Sequence, residues 1–290
     1  MIPNNNLSPL PFYTDIELQQ HRRSYAYGEV FPLYADTDKL MPFQIYIGEI
    51  ANLIDIEIIG DNGTKNIYRQ MTDAGLKVVN ITQNERQASY IVFPALYPMA
   101  LSLSEGRYYI KVLAEDTQTG KTTYYYSDII TLVNNTDGYI KITWYDNENL
   151  YFDAGAILYE DYKPYIYICS EIGKPDYVFE EEATERDGYT FIEKQISEKT
   201  YKFTMLANEP LCDVMRFIRM ADNVIIRDKY GRVYEADTFL ITPKWQTQGD
   251  IASVECEFQT DTVVKKINKG YTIAKKGDFN NDFSNSFDKL

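Results

Sequence analysis

The chain has 290 residues, 44% of them hydrophobic, which is enough for a sizeable core and sets an expectation of two domains. With 43 acidic against 29 basic side chains its net charge is −14, so sequence-independent binding to a phosphate backbone is not expected. A single histidine, His21 in the polar N-terminal arm, removes most Ser-His-Asp and Cys-His schemes and all multi-histidine metal sites.

Tyrosine dominates the aromatics, 26 against 14 Phe and 2 Trp. A large ring with a polar handle suits strands and wet contact surfaces, so the expected class is mainly β. Residues 1–40 hold Pro3, Pro9, Pro11 and Pro32 and read as an extended N-terminal arm lying along its own domains or a neighbouring subunit. Thr14 and Glu17 form a capping box, which predicts a short helix from Asp15 to Arg23. The first residues carry neither a basic n-region nor an apolar h-region, so no secretory signal is expected. No apolar run approaches the roughly 20 residues that span a bilayer, and no membrane partner is expected.

Residues 41–134 read as an immunoglobulin-like β-sandwich. Strands are expected at 43–47, 54–59, 90–93, 107–113 and 122–131, with an Asn-Gly turn in the 60–64 segment and a hairpin loop at 116–120. The Cys-Trp-Cys core of antibody domains is missing. The polar stretch 134–138 marks a domain boundary.

Residues 139–272 read as a β-rich α+β domain. Strands are expected at 139–144, 165–169, 189–196, 201–206, 224–227 and 232–235, with a hairpin turn at 228–231. Its one amphipathic helix runs from Glu209 to Met220 with Asn208 as N-cap. Leu211, Met215 and Ile218 fall at i, i+4, i+7, and Val214 and Phe217 widen the stripe. In 251–258, Val254, Cys256 and Phe258 alternate with polar residues, which places Cys256 on a buried strand face. Cys169, Cys212 and Cys256 lack metal or disulfide spacing and read as buried, reduced thiols. Residues 273–290 read as a low-complexity C-terminal tail that is expected to be flexible.

The search for chemistry yields little, and the expectation is a chain that is not an enzyme and has no cofactor. Glu180, Glu181, Glu182, Glu185 and Asp187 form the densest acidic run; a carboxylate-only hydrolase would need two such acids facing each other across a cleft, but the run reads as a solvated loop or strand edge. Asp278, Asn280 and Asp282 imitate the start of a calcium loop, yet Phe283 stands where the loop needs Gly and Lys289 where it needs a bidentate acid, so no metal site follows. Phosphate-binding glycine loops are absent. Lys265, Lys266 and Lys269, continued by Lys275 and Lys276, form the one basic stretch and read as a solvated linker or a contact to an acidic neighbouring subunit. Phe279, Phe283 and Phe287 at i, i+4, i+8 form an aromatic face suited to docking in a partner's groove. Tyr124, Tyr125 and Tyr126 point alternately to opposite faces of a strand and are not expected to make a continuous sugar-stacking platform.

Two stretches carry a resemblance: residues 12–45, with His21-Arg-Arg-Ser-Tyr-Ala-Tyr-Gly28, and residues 203–266, with Leu211-Cys-Asp-Val-Met-Arg216 and Pro243-Lys-Trp-Gln-Thr-Gln-Gly249. In these the chain resembles neck and tail ring proteins of crAss-like phages, which infect Bacteroides-type bacteria. The resemblance implies a virion protein made in the bacterial cytoplasm. It implies partners that are homo-oligomeric ring neighbours and other neck, tail or portal proteins, with no sequence-specific contact to nucleic acid. The alternative expectation is a carbohydrate-binding or adhesin-type sandwich.

Overall fold

A computed structural model describes residues 8–14, 33–83, 86–147, 150–152, 155–157, 162–186, 189–245 and 251–266. The chain is mainly β. It divides into two compact units, one of Met1–Pro175 with Tyr201–Thr260, the other of Asp176–Thr200 with Asp261–Leu290.

The first unit begins with a β-sandwich. Its strands are β1 (Phe12–Thr14), β2 (Tyr34–Asp36), β3 (Phe43–Gly48), β4 (Ala51–Gly60), β5 (Gly63–Asn66), β6 (Lys77–Gln83), β7 (Arg86–Phe93), β8 (Gly106–Asp116), β9 (Thr122–Ser127) and β10 (Ile130–Val133), with a short helix α1 (Tyr68–Asp73) between β5 and β6. One sheet centres on β8. β4 lines one of its edges, and β9 and β10 share the other. The second sheet is β3-β7-β6. Alternation drives the packing: Tyr108, Ile110, Val112 and Ala114 of β8 are all buried, as are Ile56 and Ile58 of β4. They share one core with Phe43, Ile45, Ile91 and Phe93 of the facing sheet.

The expected extended arm is in part built into this core. Leu10 and Phe12 are fully buried, and the Phe12 and Phe43 rings lie 4.9 Å apart. β1 pairs antiparallel with β9, and β2 pairs parallel with β10. The expected helix at 15–23 and His21 lie outside the described residues. The expected strand 122–131 is broken in two. Ser127 Oγ accepts from Ile110 N–H at 2.8 Å and donates to the Asp128 carbonyl, and Asp128 N–H turns to the Pro11 carbonyl.

The β4–β5 turn also differs from expectation. Gly60 pairs with Gly63, so Asp61 and Asn62 form the loop, and Gly63 takes φ +114°. A Cβ on Gly60 would collide with the Tyr108 ring and sit 2.6 Å from the Arg107 carbonyl oxygen. Gly60→Ala is therefore expected to cost about 1–3 kcal/mol of stability, read by urea denaturation, because the neighbouring backbone cannot yield.

The same unit continues through β11 (Ile140–Tyr145), β12 (Leu150–Phe152), β13 (Gly155–Ile157) and β14 (Tyr165–Ile168). After β15 (Asp176–Arg186) and β16 (Tyr189–Asn208) come α2 (Glu209–Ile218), β17 (Asn223–Arg227), β18 (Val233–Glu235), β19 (Thr238–Trp245) and β20 (Ile251–Lys266). One sheet runs β14-β11-β17-β18, and another β15-β16-β20-β19. Asn208 caps α2 by accepting from Leu211 N–H at 2.9 Å. Leu211, Val214, Met215 and Ile218 are buried, while Phe217 is only half-buried. Cys256 and Cys212 are buried as expected, but Cys169 is exposed just past the end of β14. The polar stretch 134–138 does make a turn, with Tyr139 N–H donating to the Thr136 carbonyl. No core boundary coincides with it, because Ile140, Ile142 and Trp144 belong to the same hydrophobic cluster as the sandwich.

Candidate interaction surface

The second unit is a ribbon. β15 pairs antiparallel with the first part of β16, from Asp176↔Thr200 to Arg186↔Tyr189. A bulge between Glu182 and Ala183 leaves Glu193 without a counterpart in the register, and Glu193 accepts a hydrogen bond from Thr184 Oγ1. β16 lies between β15 and β20, so residues 261–266 of β20 supply a third strand. The run of acids at 180–185 is thus an edge strand, one of the two expected readings.

Burial in the ribbon lacks the alternation seen elsewhere. All of residues 176–183 are exposed, and residues 192–199 are half-buried throughout. Tyr177 and Phe179 lie on one face of β15 and are 74% and 60% exposed, and Val263 of β20 is 62% exposed. Within β20 the change is abrupt. Ala252, Val254, Cys256, Phe258 and Thr260 are buried at every second position, and every described side chain from Asp261 to Lys265 is exposed. Asp261 marks the change with φ +57°, a left-handed conformation uncommon for a side chain other than Gly, and its carboxylate pairs with Lys199 at 2.7 Å. Polar links hold the ribbon across strands: Lys194 to Glu182 at 3.2 Å and Gln195 to Glu181 at 2.7 Å. Exposed links of this kind contribute little stability, and a two- or three-stranded ribbon that buries neither face is marginal alone.

A second surface lies on the outer face of the sandwich. Tyr124 and Tyr126 share one face of β9, with ring centroids 6.4 Å apart, and Tyr109 of β8 continues the row 6.3 Å from Tyr126. Lys111 Nζ stands 4.8 Å over the Tyr124 ring and is paired to Glu57 at 3.1 Å, which holds the ammonium charged. Tyr125 points inward and donates to the Ile47 carbonyl. The expected alternation is present. What the sequence did not show is that Tyr109 of the adjacent strand completes an aromatic row.

The most perturbed lysine lies elsewhere. Lys141 on β11 stands between Tyr167 of β14 and Arg227 of β17 in the cross-strand register. Burial pushes its pKa down to about 8, with Lys39 and Arg227 adding like-charge repulsion. Its Nζ sits 4.0 Å from the Tyr165 ring centroid, which restores part of the lost hydration. At neutral pH the folded chain holds a charged ammonium where it is disfavoured. That penalty is shed as pH rises from about 8 toward the unfolded value near 10.4, since only the unfolded chain then keeps the proton. Lys141→Met is expected to stabilise the protein by about 1–2 kcal/mol at pH 7, with the gain vanishing above about pH 10 in denaturation curves.

Of the residues singled out in the sequence, Lys265 is exposed on β20, and Lys266 ends that strand. Lys269, Phe279, Phe283 and Phe287 lie outside the described residues. Among the described residues no group of three His, Cys, Asp or Glu is placed to hold a metal, and no helix is long and apolar enough to cross a membrane. Set against models of protein families, curated proteins and solved structures, the chain matches none.

Proposed function

We propose that this chain is a non-enzymatic structural protein of a tailed-phage virion, present in several copies as a ring or adaptor of the neck or tail that joins the portal to the tail machinery. The observation that carries this reading is the ribbon. Some 25 residues of hairpin and the end of β20 are spent on a ribbon whose described side chains, Thr200 apart, are exposed or half-buried, with Tyr177, Phe179 and Val263 facing solvent. Apolar side chains kept exposed on an ordered sheet are suited to contacts between subunits. The likeness of residues 12–45 and 203–266 to phage ring proteins points the same way. A net charge of −14 suits a channel through which DNA passes without adhering. Mass spectrometry of gradient-purified virions tests the reading. The chain is expected at a small fixed multiple of the portal protein, and its absence from intact particles would sink it.

The row Tyr109, Tyr126 and Tyr124 favours a second reading, a carbohydrate-binding or adhesin-type module. The rings of this row are tilted by 48° and 36° to one another, so each would offer its own face for a sugar to stack on. Binding on a glycan array that disappears in Tyr124→Ala would favour this reading over the first.

A further inference from the structure

We propose that copies of this chain join head to tail by strand addition, the acidic outer edge of β15 in one copy pairing with the basic outer edge of β20 in the next. This rests on the reading of a multi-copy assembly and names its contact. Three features of the ribbon lead to it.

Both edges are open among the described residues. β15 pairs with β16 alone. β19 covers β20 only from Ala252 to Gln259, so from Val263 to Lys265 the side of β20 away from β16 carries no strand. Open edges are templates for a further strand.

The edges differ in charge. β15 holds Asp176, Glu180, Glu181, Glu182 and Glu185 against Arg186. The described end of β20, residues 261–266, holds Lys265 and Lys266 against Asp261, and Asp261 is already paired with Lys199. Glu181 and Glu182 are engaged inside the ribbon by Gln195 and Lys194. Glu180 and Glu185 make no ion pair among the described residues and remain available to a neighbour.

The geometry within one copy keeps these edges apart, because β16 lies between them. Two acidic edges repel, as do two basic ones, so only the acidic-to-basic pairing is favoured. Such a contact uses two different surfaces and therefore repeats from copy to copy, closing into a ring where the rotation permits. Strand addition would also extend the sheet on which Tyr177, Phe179 and Val263 are exposed, giving these side chains neighbours across the junction.

A charge swap in the full-length chain tests this by sedimentation velocity. Asp176→Lys with Glu180→Lys and Glu185→Lys takes β15 from −4 to +2, so that both edges are basic, and Lys265→Glu with Lys266→Glu takes residues 261–266 of β20 from +1 to −3, so that both are acidic. Each variant alone is expected to self-associate at least about tenfold more weakly than wild type, with an unchanged circular dichroism melt. A one-to-one mixture of the two is expected to regain association, as is a single chain carrying all five changes. Misfolding could not produce that recovery. Wild-type association by each variant alone, no recovery in the mixture, or a wild type monomeric at about 100 µM would overturn the pairing. The two readings fail separately. Virions that contain the chain, together with swaps that have no effect, would leave the ring and remove this contact. Recovery on mixing, together with virions that lack the chain, would keep the contact and remove the ring.

Discussion

Phe258→Ala is expected to lower the unfolding free energy by about 3–5 kcal/mol. Phe258 on β20 is fully buried at the centre of an aromatic cluster. The Tyr201 ring stacks on it with centroids 5.2 Å apart and planes 13° from parallel. Tyr234 meets it edge-on at 5.7 Å, and Phe203 approaches at 6.4 Å. Truncation loses the transfer free energy of the ring and leaves a void that strands fixed on both sides cannot close, since β19 pairs with β20 directly at Phe239↔Phe258. A shift in the urea midpoint with an unchanged slope would show that stability alone has changed. A loss below about 1 kcal/mol would mean that the cluster repacks around the missing ring and is not rigid.

Asp228→Asn is expected to cost about 2–3 kcal/mol at pH 7, with the difference from wild type closing in acid. Asp228 opens the turn between β17 and β18, and its side chain is only 2% exposed. Burial by itself would raise its pKa. Hydrogen bonds to the carboxylate outweigh that: Arg232 N–H at 2.9 Å, Arg232 Nε at 2.6 Å and Tyr230 N–H at 2.9 Å, so the pKa lies below the ordinary aspartate value. Because the folded value is depressed, the stabilisation is complete above the unfolded pKa of about 3.9 and is lost as pH falls through the folded value. An asparagine offers one acceptor oxygen where the carboxylate offers two, and it turns an amide N–H₂ toward the same donors. Denaturation curves at pH 7 and near pH 2.5 should therefore show a large gap and a small one. An equal gap at both would assign the loss to packing.

Much of this was legible in the sequence where a strand has one wet face and one dry face. The alternation of Val254, Cys256 and Phe258 with polar neighbours predicted their burial, and the Asn208 cap with the stripe Leu211, Met215 and Ile218 predicted α2. The ribbon lay beyond that logic. Its described side chains are exposed along 176–183 and half-buried along 192–199, so there is no alternation to read, and glutamates of low strand propensity are held in β15 by pairing with β16. Ser197-Glu-Lys-Thr200 reads as a break between two strands, yet β16 runs unbroken through it for 20 residues. The integration of the arm was hidden for a different reason: β1 and β2 are three-residue strands, and their partners lie about a hundred residues away, beyond the reach of local pattern. The row Tyr109, Tyr126 and Tyr124 likewise needs the β8–β9 register, which fixes which tyrosines share a face.

The three cysteines differ in a way that serves measurement. Cys212 and Cys256 are buried, and burial raises both thiols, that of Cys212 to about 11, so few thiolates form there at neutral pH. Cys169 is exposed. A maleimide dye added to the native protein should thus attach once per chain without any engineered site. Counting photobleaching steps on single assemblies would then give the number of subunits directly.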